Sequence, residues 1–298
     1  MDLGVVFSQT DSGTDPHAIR DWARTAEEAG FSHLRAYDHI LGATPERLGP
    51  GPVGSFPSAP YTAADTFHEI LVLFSHLAAV TTQLQFVTSV LVLPQRETAL
   101  AAKQIATIHL LSGGRIRVAV GVGWNWAEYE ALGADFEHRT AVLDEQLDVM
   151  RALWTQPHLD YDGKYHHLHG VGINPRPEGI VPIYMGTSGS DAALRRVVRK
   201  ADGWMPLLVP GLDPIDFPSA AKRLREICSE EGRDPDTLPI HGRVYLVDGW
   251  EKLVDEALEV GVESLTFGFA RLAFPKTAHA EHLRAVLDVK SDIDRLVG

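Results

Sequence analysis

Asp38 and His39 stand side by side in the run HLRAYDHIL, where a short apolar strand would deliver side chains to an open face. Histidine titrates near neutrality and can give or take a proton while another group moves a hydride. The competing account is a histidine hydrogen-bonded at a strand end, with Asp38 capping backbone. A second group lies in MGTSGSDAALRRV, where Gly186, Thr187, Ser188, Gly189 and Ser190 precede a helical segment. Free N–H groups at a helix N-terminus, with hydroxyls beside them, suit a phosphate monoester. Ser188 or Ser190 could also serve as a plain N-cap, although capping needs only one such residue. The third group is GGRIRVAVGVGWNWAEYEALG. Its Gly121 and Gly123 follow an apolar strand, yet the dinucleotide fingerprint G-x-G-x-x-G fails because Trp126 fills the third glycine position. Glycines at a strand end let a flat ligand approach the backbone, with Asn125 and Trp126 forming the mouth. They would equally serve a tight turn, with the tryptophans closing the end of the sheet.

Other reactive side chains lead less far. His166, His167 and His169 in DYDGKYHHLHG lack the cysteine or carboxylate partners of a complete metal site, so no metal is expected. His279 and His282, three apart on the last helix, are expected on a solvated face. Neither a G-x-S-x-G elbow, a Walker A run nor an H-E-x-x-H pair is present. The one cysteine, Cys228, permits no disulfide within the chain and reads as a small packed residue in a reducing compartment. A formal net charge of −13 argues against a nucleic-acid partner. With no apolar run of about 18 residues and no leader-like N-terminus, a cytoplasmic protein without a membrane partner is expected.

These residues need a scaffold, and the sequence describes one: strand followed by helix recurs eight times. The strands are LGVVFS, HLRAYDH, QFVTSVLVL, RIRVAVGVG, PIYMG, GWMPLL, IHGRVYLV and ESLTFGF. Helices are expected over about 15–29, 65–79, 96–112, 137–154, 189–200, 214–231, 250–259 and 277–296. Asp15 as N-cap, Pro16 in the first turn and Gly30 as stop mark the first of them. Eight units predict an α/β (β/α)8 TIM barrel, a single domain spanning 1–298. Insertions follow strand 2 (about 42–63) and strand 4 (about 155–181), the latter holding a hairpin that turns at Asp162-Gly163. In such barrels the site lies at the C-terminal strand ends. Those ends comprise Ser8, Asp38 and His39, Ser89 to Leu93, Gly121 to Trp126, Gly186 to Ser190, Met205 to Leu208, Val247 and Asp248, and Phe267 to Phe269.

The runs SVLVLPQRETALAAKQIATIHLLSGGRIRVAVGVGWNWAEYEALG, RTAVLDEQLDVMRALWT and GINPRPEGIVPIYMGTSGSDAALRRVVRKADGWMPL together resemble the luciferase-like monooxygenase superfamily. Within it the chain looks like the deazaflavin-dependent oxidoreductase branch, over most of its length to about residue 210. The resemblance implies a barrel holding coenzyme F420, or alternatively FMN, across the strand C-termini. It implies a non-proline cis peptide behind the ring system, at Ser89-Val90, and an acid/base role for His39 beside Asp38. It assigns coenzyme contacts to Gly121, Gly123, Asn125 and Trp126, and the phosphate to Gly186, Thr187, Ser188 and Gly189. Relatives that oxidise sugars or alcohols carry a glutamate directly after the strand 4 glycines, where this chain has Trp124. Arg195, Arg196 and Arg176 are candidates to offset coenzyme charge, although Arg195 and Arg196 could equally line a solvated helix face. The implied activity is hydride transfer between F420 and a small organic substrate, in a homodimer. The alternatives are an FMN-dependent monooxygenase served by a partner reductase, and a flavin-binding protein without turnover.

Overall fold

The computed structural model describes residues 1–49, 60–206, 216–268 and 279–297. In chain order its elements are β1 (Asp2–Phe7), α1 (Pro16–Glu28), β2 (His33–Ala36), α2 (Pro45–Leu48), α3 (Ile70–Ala78), β3 (Gln85–Thr88), β4 (Leu91–Val92), α4 (Thr98–Leu111), β5 (Ile116–Gly121), α5 (Trp126–Leu132), α6 (Arg139–Thr155), β6 (Leu159–Asp162), β7 (His167–Val171), β8 (Ile183–Thr187), α7 (Asp191–Lys200), β9 (Gly203–Pro206), α8 (Phe217–Glu230), β10 (His241–Tyr245), α9 (Trp250–Glu259), β11 (Ser264–Gly268), α10 (His279–Asp288) and α11 (Lys290–Val297). Parallel neighbours run β10-β11-β1-β2-β3-β5-β8-β9. A bridge between Trp204 and Ile240 brings β9 back to β10, so the eight strands form the nearly closed TIM barrel expected from the alternation.

The local signals account for most boundaries. Asp15 accepts the His17 N–H ahead of Pro16, and Gly30 follows α1 at φ 83°. Helix α3 starts at Ile70, later than the expected 65, because Glu69 caps it by accepting the Val72 N–H. The short α2 and α5 were not anticipated, and the last helix is broken into α10 and α11. In the second insertion β6 and β7 pair antiparallel, but Asp162 faces His167, so four residues close the hairpin and not an Asp-Gly pair. Residues 50–59 of the first insertion and the strand-end candidates 207–208 and 269 lie outside the described residues.

Strand 3 differs from its sequence reading in a way that shapes the site. It divides into β3 and β4 around a cis peptide bond, Ser89-Val90, as the family resemblance implied. β3 pairs with β5 through Phe86 and Val87, and β4 resumes pairing at Leu91 and Val92. The Thr88 hydroxyl fills the gap, donating to the Ala119 carbonyl at 2.7 Å and accepting its N–H at 2.8 Å. Backbone groups that the bulge would orphan are thereby satisfied.

Outward-facing residues such as Leu34, Ala36 and Phe7 pack beneath the helices, with the Phe7 ring edge-on to Trp22 of α1. The barrel interior divides by chemistry. Toward β3, β5, β8 and β9 it holds Val87, Ala119, Tyr184 and Met205, with Val90 packed against them. Toward β10, β11, β1 and β2 it is polar: His33 Nε2 lies 2.7 Å from Thr266 Oγ1, and Arg35, His241 and Arg243 follow the same inward alternation. Gly4 makes room for this layer, since a Cβ there would meet the His33 ring at 2.1 Å.

Candidate active site

The corner where β2 ends is built from matched charges. Asp38 is buried and accepts the Val92 N–H at 2.9 Å and the Arg96 guanidinium at 2.8 Å. Arg96 in turn reaches Glu69 at 2.6 Å. Burial works against the Arg96 charge, but Asp38 and Glu69 outweigh it and hold the guanidinium protonated. The Asp38 carboxylate is therefore directed at the strand 3 bulge and α4 entry, where it holds β4 in place.

One residue further on, His39 stands in an aromatic enclosure. Its ring lies against Tyr61 at a centroid distance of 3.9 Å, with Phe67 at 5.2 Å and Trp124 at 5.9 Å edge-on. Nδ1 faces two partners, Tyr61 Oη at 2.6 Å and Glu128 Oε2 at 3.2 Å. Nε2 makes no hydrogen bond among the described residues. Trp124 thus forms one wall of the enclosure.

Glu128 is the residue that the sequence reading missed. It is the third residue of α5 beyond the N-cap Asn125, and its Oε1 accepts the N–H groups of Ile40 and Leu41 at 2.5 and 2.9 Å. Burial raises its pKa, but His39 and the two backbone donors more than reverse this, so the carboxylate stays charged. The Asn-x-x-Glu spacing was the available signal: it reads as a capping box. Here the glutamate turns from its own helix to the residues after β2. Tyr61, from the first insertion, had no such signal. Its hydroxyl also accepts from Asn125 Nδ2 at 2.7 Å, and burial with the neighbouring Glu128 pushes its pKa up. Tyr61 remains a protonated donor.

The strand 4 glycines are required by close packing within the chain. A Cβ on Gly121 would lie 2.4 Å from the Val90 side chain, and one on Gly123, at φ 64°, would lie 2.7 Å from Val92. Their space is filled by the bulge and is not left open for a ligand. Asn125 is buried as N-cap and Tyr61 partner, while Trp126 stacks under Arg47 of α2 at 4.2 Å. Of the group, Trp124 faces His39.

After β8, Gly186 and Gly189 are buried, Thr187 is half-buried, and Ser188 and Ser190 are exposed. Ser190 is the N-cap of α7 by position, yet its side chain makes no cap hydrogen bond; it accepts from Ser188 at 3.3 Å. The arginines expected to assist are engaged elsewhere. Arg195 pairs with Glu230 and Glu231, and Arg196 with Asp144. Arg176 lies in the segment between Asn174, held by Lys103, and Glu178, held by His109, along the part of α4 that leads away from the strand C-termini. The histidine tract is likewise occupied: His166 contacts Glu145 and Thr98, and His167 contacts Asp162. Among the described residues no group of three His, Cys, Asp or Glu is arranged to hold a metal. His282 is buried, not solvated as expected, and burial lowers its pKa to about 4. Cys228 is buried as expected, and no described helix is long and apolar enough to cross a membrane.

Comparison with known proteins agrees with this architecture. An uncharacterized protein of Mycobacterium tuberculosis (strain ATCC 25618 / H37Rv) is 33% identical over 277 residues, covering 88% of each chain. The F420-dependent glucose-6-phosphate dehydrogenase of Nocardia farcinica is 32% identical over 240 residues, 76% of this chain and 66% of that one. The FMNH(2)-dependent dimethylsulfone monooxygenase of Pseudomonas fluorescens is 32% identical over 203 residues, 67% of this chain and 49% of that one. Residues 1–287 match the luciferase-like monooxygenase model, and the chain belongs to that family of flavin- and deazaflavin-dependent oxidoreductases and monooxygenases.

Proposed function

We propose that the chain is an F420-dependent oxidoreductase that moves a hydride between the coenzyme and a small organic substrate, with His39 managing the accompanying proton. The observation that carries this reading is the one-sided bonding of His39: Nδ1 is fixed by Tyr61 and Glu128, and Nε2 is left without a described partner. The residues fit a tricyclic coenzyme with a phosphate. Val90 remains partly exposed beside the cis bond, and the exposed hydroxyls of Ser188 and Ser190 stand before α7 without capping it. When bound, the coenzyme supplies the hydride acceptor or donor. His39 takes or returns the matching proton at Nε2. To accept it there, the neutral ring carries its own proton on Nδ1, shared between Glu128 and the Tyr61 oxygen, while the Tyr61 hydroxyl donates to the Leu41 carbonyl, 3.3 Å away. Tyr61, Phe67 and Trp124 shield the ring from water. The reading includes a homodimer of single-barrel chains in the cytoplasm.

A second reading, an FMN-dependent monooxygenase with a separate reductase, draws on the same enclosure, because an apolar wall at Trp124 suits an apolar substrate. Parallel equilibrium titrations with oxidised F420 and FMN separate the two. Tight F420 binding with weak FMN binding is expected; the reverse would move the assignment to the monooxygenase. His39→Ala should leave coenzyme affinity intact and lower turnover by about 10²-fold or more. Unchanged turnover would remove the proton role and favour coenzyme binding without catalysis.

A further inference from the structure

The polar half of the barrel interior contains two guanidinium groups that the fold does not match. Arg35, in the middle of β2, is 1% exposed, and only its Nε is bonded, donating to Ser89 Oγ at 2.6 Å. Its two terminal nitrogens are buried without a hydrogen-bond partner. Arg243 of β10 is in the same condition at Nε, while its Nη2 donates to the Tyr37 hydroxyl and its planar group stacks on Tyr245 at 4.3 Å. The charges acting on Arg35 are Arg243 and Tyr245, with no carboxylate among them. Like charges buried side by side are mutually destabilising, and arginine does not escape by losing its proton.

Partly buried arginines elsewhere show that the chain can satisfy this group. Arg115 donates to Ser112, Ala78 and Leu84 carbonyls and to the Thr81 hydroxyl. Arg96 has Asp38 and Glu69. A group left unsatisfied in a native interior calls for an external partner. A guanidinium fork takes an oxyanion in bidentate geometry. Ser89, which Arg35 touches, immediately precedes the cis bond at the barrel mouth.

We propose that Arg35 and Arg243 form an oxyanion seat on the barrel floor, and that the substrate carries a carboxylate or phosphate which docks there. This rests on the reading of the barrel mouth as the active site. It makes the substrate amphipathic: an anionic end against β2 and β10, and a reacting end toward His39 and the aromatic wall at Trp124.

The test is thermal unfolding of the full chain, with and without F420, in acetate, inorganic phosphate, or chloride at matched ionic strength. For one of the two oxyanions, wild-type protein should show a rise of about 3 °C over chloride at roughly ten times its Kd. The rise should vanish in Arg35→Met and in Arg243→Met, and return in part in Arg35→Lys. Which anion acts separates a carboxylate substrate from a phosphorylated one. No rise in wild type, or an equal rise in Arg35→Met, overturns the proposal. A changed reduction potential of bound F420 in Arg35→Met, with anion stabilisation unaltered, assigns the guanidinium to the coenzyme ring and also overturns it. Should Arg35→Met fail to fold, Arg243→Met and Arg35→Lys carry the same comparison. Failure to bind F420 or FMN would sink the oxidoreductase reading alone, because the anion effect is read without coenzyme.

Discussion

Arg96 and Arg35 are both buried arginines near the C-terminal ends of the strands, and their surroundings are opposite. Around Arg96 every charge is answered: Asp38 and Glu69 hold the guanidinium, Val92 holds Asp38, and on the adjoining side Glu128 meets His39 and two backbone donors. Around Arg35, among the described residues, stand the Ser89 hydroxyl, a second arginine and Tyr245, and no carboxylate. The first region is complete as folded protein and fixes the geometry of the site. The second is incomplete, which is what a ligand-binding region looks like when its ligand supplies part of the electrostatics.

The comparison breaks most visibly by removing one partner from each region. Asp38→Ala leaves Arg96 with Glu69 alone and frees the Val92 N–H, so unfolding in urea should show a loss of about 3–5 kcal/mol. Arg35→Met removes an uncompensated charge and should cost nothing or raise the midpoint. A costly Arg35→Met beside a harmless Asp38→Ala would mean that the two regions have been assigned the wrong way round.

Acid sharpens the same contrast. Burial lowers the His33 pKa to about 3, and the nearby Arg117 and Arg35 charges add to the effect; His241 is lowered for the same reasons. A histidine held neutral in the fold binds its proton only after unfolding. Stability is therefore complete above the ordinary value of 6.5 and is lost as pH falls from there toward 3. The slope is about 1.4 kcal/mol per pH unit for each such histidine. Glu128 acts in the same direction but lower, since its pKa is depressed and its contribution is lost only below the usual 4.5. Stability measured between pH 6.5 and 4.5 thus reports these interior histidines together with His282 of α10, and His33→Gln should flatten the curve there by its own share. An unaltered slope would show that the interior histidines take up protons while folded.

Much of this was legible in the chain because it is periodic or positional. Eight apolar runs with helices between them give the barrel, and Asp38-His39 at the end of one run falls at the corner where the candidate site is built. Glu128 was within reach through its spacing from Asn125. What was not legible depends on which strands face one another. Arg35 and Arg243 alternate with apolar residues on β2 and β10, a pattern that edge and surface strands share, and only the closed barrel reveals that both side chains are inside it. Gly121 and Gly123 could be read as openings or as a tight turn, because nothing local says that Val90 and Val92 fill the space beside them. Arg195 and Arg196 could not be told apart locally as coenzyme partners or surface charges, because their acidic neighbours, Glu230 and Glu231 at the end of α8 and Asp144 of α6, are distant in sequence.

The finest distinction lies within the matched region, between a charge that holds the fold and a hydroxyl that serves chemistry. Tyr61 contributes one oxygen, placed between Asn125 Nδ2 and His39 Nδ1 at 2.7 and 2.6 Å. Tyr61→Phe keeps the ring that packs on His39 and removes that oxygen, so the stability cost should be about 1 kcal/mol, far below that of Asp38→Ala. Turnover should respond more than stability. Without the hydroxyl, Nδ1–H has Glu128, at 3.2 Å, as its remaining partner, and the ring is held less firmly in the orientation that presents Nε2. A fall in kcat of about tenfold, with coenzyme affinity unchanged and the pH–rate profile displaced, is the expected result. If kcat and the profile both stay as in the wild type, Tyr61 is packing material, and His39 is governed by Glu128 alone.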